Sequence, residues 1–103
     1  MAMTSVQLTY ELEKEIRRYL TEMREADNKG CSERMSVSML ALYTLMEAKF
    51  VGQNLSTGFF NKIVADMRRA GIVDVSGSFV CLSVAAWELH VQEQERLLNG
   101  GAV

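Results

Sequence analysis

The chain has no proline anywhere in its 103 residues, so nothing in the sequence forces a helix to break. Cysteine is almost as scarce. Cys31 and Cys81 stand 50 positions apart with no C-x-x-C spacing, which excludes a thiolate metal knuckle and a disulfide scaffold. Reduced thiols in a cytosolic protein are the expectation, with Cys81 a small buried hydrophobe and Cys31 in a surface loop. There is one histidine, His90, with no cysteine beside it and only scattered carboxylates, so metal-ligand spacing is absent. Gly52 and Gly58 do not open a strand-to-helix phosphate loop. No catalytic constellation is legible: no enzyme and no cofactor are expected. The longest charge-free run, 75–87, is too short for the 18 or so apolar residues of a membrane span. The N-terminus lacks the basic-then-apolar order of a signal peptide. A single cytoplasmic domain without a membrane partner is therefore expected, half apolar at 49% and large enough for one core.

An excess of positive charge is also missing. The formal net charge is −2, which argues against nucleic acid until its distribution is considered. Residues 52–83 hold Lys62, Arg68 and Arg69 against Asp66 and Asp74 and are the only net-positive stretch. Residues 84–103 hold Glu88, Glu93 and Glu95 against Arg96 alone.

What is present is a run of helix signals. Thr4, Ser36, Ser56 and Ser83 are candidate N-caps, and Thr4 has capping-box spacing to Gln7. An apolar residue precedes each, giving staple pairs Met3–Leu8, Met35–Leu40, Leu55–Phe60 and Leu82–Trp87. Helix 1 is expected over 5–28, with Leu8, Leu12, Ile16, Tyr19, Leu20 and Met23 on one stripe and Asn28-Lys29-Gly30 as its stop. A short extended piece over 34–36 precedes helix 2 over 37–50. That helix is apolar nearly all round, the pattern of a central or interfacial helix. Gly52-Gln53-Asn54 turns into helix 3, 57–70, with Phe60, Ile63, Val64 and Met67 inward.

The stop of helix 3 is the clearest signal. In Met67-Arg68-Arg69-Ala70-Gly71-Ile72-Val73, two arginines close the last turn and Gly71 supplies the left-handed residue. A two-strand hairpin over 72–82 follows, around Ser76-Gly77-Ser78, and helix 4 over 84–99 ends at Gly100-Gly101. The fold class is α+β, mainly α: a helix-turn-helix with a small two-strand wing and long terminal helices.

Projected at 100° per residue, helix 3 has an outward face of Gly58, Lys62, Ala65 and Arg69, flanked by Asn61, Asp66 and Arg68. Small residues among long cations let a backbone approach a groove while the cations reach phosphates or base edges. The bland reading is a solvated face on which Asp66 pairs with Lys62 and Arg69. Helix 4 nearly continues a heptad through Val84, Trp87, Val91, Gln94 and Leu98, over two heptads only. With helix 1 it reads as a dimerisation element carrying Leu8, Leu12, Trp87, Val91 and Leu98.

Residues 36–83 resemble the winged helix-turn-helix regulators, broadly the MarR-like and PadR-like group. The resemblance rests on the run Leu40-Ala41-Leu42-Tyr43-Thr44-Leu45-Met46, the helix 59–70 and Arg69-Ala70-Gly71-Ile72-Val73. It implies that helix 3 is a recognition helix and that terminal helices join two subunits. Sequence-specific binding of double-stranded DNA as a homodimer is then the expected function, through Asn54, Thr57, Gly58, Asn61, Lys62, Ala65, Arg68 and Arg69, with Ser76 and Ser78 from the wing. The wing departs from the pattern, since it carries no cation. Net acidity, that wing and a methionine-rich helix 2 suit the alternative, a winged helix that binds a protein partner, as an adaptor or a phage-type inhibitor of a host complex.

Overall fold

The computed structural model describes residues 3–27 and 36–100. Seven elements follow one another: α1 (Ser5–Asp27), β1 (Val37–Ser38), α2 (Met39–Lys49), α3 (Thr57–Arg69), β2 (Val73–Ser76), β3 (Phe79–Leu82) and α4 (Val84–Gly100). The expected helix stop at Asn28-Lys29-Gly30, the Cys31 loop, and Arg34 and Met35 with its staple to Leu40 lie outside the described residues.

Local capping sets most boundaries. Thr4 and Gln7 form the reciprocal box: Gln7 N–H donates to Thr4 Oγ1 at 3.1 Å, and Thr4 N–H to Gln7 Oε1 at 3.0 Å. Ser56 Oγ accepts from Phe59 N–H at 3.1 Å, and Leu55 and Phe60 are both buried as a staple requires. Gly71, at φ +79°, closes α3. Its N–H reaches the Arg68 carbonyl at 3.0 Å and the Ile72 N–H reaches Met67 at 2.9 Å, the paired bonds of a Schellman stop.

Helix α2 starts later than its sequence suggests. Val37 and Ser38 are a strand, not the first turn of a helix, and Ser38 is the N-cap in place of Ser36. Its Oγ accepts from Ala41 N–H at 3.3 Å. The sheet consequently has three strands, order β1-β3-β2, where two were expected. The pairs Val37↔Val80 and Val75↔Val80 put apolar side chains from all three strands on one face, against the helices. Gly77, at φ +59°, opens the two-residue loop between β2 and β3.

The core gathers Leu12, Ile16 and Leu20 of α1, Leu42 and Met46 of α2, Phe60, Ile63, Val64 and Met67 of α3, with Val73, Val80, Leu82 and Ala86. All four inward residues expected of α3 are buried. Two expectations need correction. Leu8 and Leu12, assigned to a subunit contact, belong to this core, because α1 turns that stripe onto α2, α3 and β3 of its own chain. Helix α2 is not central: only Leu42 and Met46 within it are buried, while Leu40 is 73% exposed. Cys81 is buried, as a small apolar residue in that run should be. No helix among the described residues is long and apolar enough to cross a membrane.

Candidate nucleic-acid interface

Helix α3 lies with one wall in the core and the other in solvent. Phe60, Ile63, Val64 and Met67 fix its rotation, leaving Thr57, Gly58, Asn61, Lys62, Arg68 and Arg69 exposed and Ala65 half-buried. Its thirteen residues span about 20 Å at 1.5 Å each. Around Gly58 a Cβ would meet nothing within 4 Å, so the first turn presents bare backbone to the outside. The approach to α3 is held by Tyr43, whose hydroxyl donates to the Leu55 carbonyl at 2.9 Å and whose ring meets Phe60 edge-on at 5.4 Å. Asn54, exposed at φ 54°, makes the corner in front of it. Asn is one of the few side chains that tolerate that geometry.

The cations on this face are not equivalent. Arg69 is ion-paired to Asp66 one turn before it, the i, i+3 contact that a solvated face would show. The companion pair, Asp66 with Lys62, does not form. Lys62 and Arg68 are exposed and make no ion pair among the described residues. Two uncommitted cations and one shared with a carboxylate therefore project from the same helix.

The β2–β3 hairpin sits beside the start of α2 because Met39 N–H donates to the Ser78 carbonyl at 2.8 Å. Ser76 and Ser78 are exposed, and the hairpin has no basic side chain. Phe79, missing from the expected site, is 53% exposed at the end of the hairpin opposite Ser76 and Ser38. Strand alternation sets Phe79 on the face opposite Val80 and Leu82; Cys81 shares that face but is buried, so only the hairpin end is open. Of the expected subunit-contact residues, Trp87 and Val91 are half-buried and Leu98 is 80% exposed.

A groove of about 550 Å³ runs along α1 toward Met67, Ile72 and His90. Three cations in its lining, Lys14, Arg17 and Arg18, are balanced by three carboxylates, Glu13, Glu22 and Glu25, so no net charge selects a ligand. Among the described residues no group of three or more His, Cys, Asp or Glu could hold a metal ion. Two perturbed carboxylates are structural. Arg18, hydrogen-bonded to Glu15, lowers that carboxyl's pKa with help from Lys49, and Arg96 does the same for Glu93.

The molecule belongs to the class of small α+β proteins in which helices pack on a short antiparallel sheet. No family model matches the chain, no curated protein is significantly similar to it, and no solved structure matches it.

Proposed function

We propose that the protein is a winged helix-turn-helix regulator, cytoplasmic, that binds double-stranded DNA sequence-specifically as a homodimer and inserts α3 into the major groove. The observation that carries this reading is the outward face of α3, where Lys62 and Arg68 make no ion pair among the described residues and the first turn is bare backbone at Gly58. Element order and the β1-β3-β2 sheet support the winged-helix assignment, with β2 and β3 as the wing. Asn54, Thr57, Asn61, Lys62, Ala65, Arg68 and Arg69 form the reading surface, and Ser76 and Ser78 offer wing hydroxyls to the backbone. Trp87, Val91 and Leu98 of α4, rather than Leu8 and Leu12, supply the apolar subunit contact.

Selection of bound duplexes from a random pool, followed by anisotropy titration of the winner, tests the reading. Lys62→Ala is expected to weaken binding by about 1–3 kcal/mol if the lysine reads a base edge, and by less if it meets only phosphate. Unchanged affinity at low salt for Lys62→Ala and Arg68→Ala together rules out α3 as the reader.

One observation favours the second reading, a protein-binding module. Leu40 and Leu45 of α2 and Val51 just after it are exposed apolar side chains, Leu40 to 73% and Val51 to 78%. Heparin chromatography at low salt separates the two: a DNA reader is retained, whereas an acidic adaptor flows through.

A further inference from the structure

The last two turns of α4 have no cover. Every residue from Gln92 to Asn99 is exposed, including Leu97 at 60% and Leu98 at 80%. A helix of this kind draws little stability from its own propensity and needs packing of an apolar face. That face exists. Taking Val84 as zero, Trp87, Val91 and Leu98 lie within a 60° sector at 100° per residue, and Glu95 lies 20° to its other side. The sector is displaced from the side on which Ala86 meets the core: Val84 and Leu98 in it are exposed, and Trp87 and Val91 are half-buried.

A concavity of about 490 Å³ follows this sector, lined by Val84, Trp87 and Val91 with Glu88 and Glu95, and Arg24 of α1 forms its far wall. Arg24 is the informative residue. Its guanidinium stacks on the Trp87 ring at 4.9 Å, its Nη1 is buried without a hydrogen-bond partner, and it makes no ion pair among the described residues. Glu88 and Glu95 of the same chain line the groove without reaching it. A half-buried cation held by a ring face alone lacks a carboxylate.

We infer that a second copy of this chain supplies that carboxylate. Two α4 helices cross antiparallel about a two-fold axis at Val91, and Glu95 of each copy meets Arg24 of the other. The register follows from symmetry. With Val91 opposite itself, Val84 falls opposite Leu98 and Trp87 opposite Glu95, so the exposed leucine enters the apolar groove and the glutamate arrives beside the stacked arginine. In a parallel pairing Glu95 of each copy lies level with Glu95 of the other, about 12 Å along the axis from the Trp87 on which Arg24 stacks, too far to meet it. This arrangement deepens the homodimer of the proposed function by fixing its surface and its ion pair, and does not depend on DNA.

The test uses the full chain. Light scattering is expected to give a dimer, and Val91→Cys is expected to cross-link to itself under mild oxidant far above the wild-type background, with Leu97→Cys as the off-axis control. Glu95→Arg and Arg24→Glu are each expected to weaken dimerisation at least about tenfold, and the double exchange to restore most of the loss, since opposite charges again face one another. Circular dichroism of each variant separates a lost contact from a lost fold. A dimer that gives no Val91→Cys cross-link, or no rescue by the double exchange, overturns this register and leaves the homodimer standing. A monomer at every concentration overturns both.

Discussion

Gly71 and Ser83 decide how the candidate reading helix is joined to the rest of the chain. Gly71 holds φ +79°, and a Cβ there would touch nothing within 4 Å, so any penalty for a side chain comes from backbone conformation alone. Gly71→Ala is therefore expected to lower unfolding free energy by about 1–2 kcal/mol, read from urea melts, without altering the native spectrum. Ser83 is buried and makes a double connection: its hydroxyl donates to the Gly71 carbonyl at 2.6 Å and accepts from Ala86 N–H at 3.0 Å. One side chain thus caps α4 and ties it to the end of α3. Ser83→Ala removes the cap and leaves a carbonyl short of a donor, an expected loss of about 1–2 kcal/mol in the same assay. Replacement by Thr, which keeps the hydroxyl, should recover part of the loss if the bonds matter more than the volume.

At the scale of elements, the contact between α1 and α2 has an electrostatic edge. Glu15 is bound by Arg18 at 2.8 Å on its own helix and by Lys49 of α2 at 3.2 Å, and both partners lower its pKa. A carboxyl whose folded pKa is depressed stabilises the fold at pH above its unfolded value, near 4.3, and the contribution is lost as pH falls through the folded value. Glu15→Gln should accordingly flatten the fall of stability between about pH 5 and pH 3, measured as urea midpoint against pH. Part of the slope persists, because Arg96 depresses Glu93 in the same direction. Helix α3 was legible end to end because its signals are local: the Ser56 cap, a four-residue apolar stripe and Gly71. Strand β1 was not. Two residues carry no period, and Val37–Ser38 is a strand only because β3 lies beside it. The same blindness misplaced α2. Its apolar positions surround the helix, so counting them predicted burial, whereas the rest of the fold covers only the Leu42–Met46 side. In the candidate site, the exposed residues of α3 followed from its stripe, but which cations are free depended on rotamers no periodicity encodes. Arg24 escaped notice because its significance arises from a residue 63 positions away, Trp87.

For the whole molecule, the sign of the charge tests the proposed function, since a chain of net charge −2 that bound DNA would have to meet it through a small positive face. In a dimer, Lys62 and Arg68 of both copies offer four uncommitted cations, while Arg69 is shared with Asp66. If each free cation neutralises one phosphate, the slope of log affinity against log salt is expected at about −3.6. Asp66→Asn removes a carboxylate from the reading face and releases Arg69, bringing two more cations per dimer into play. Tighter binding at low salt and a slope steepening toward about −5 are then expected, with specificity between related duplexes little changed, because phosphate contacts carry no sequence information. The two readings of α3 separate here. Were the helix only a solvated wall, Asp66→Asn would leave affinity and slope as they are apart from a uniform shift in net charge, and Glu13→Gln, on α1, would have the same effect. A response specific to Asp66 places the phosphates against α3.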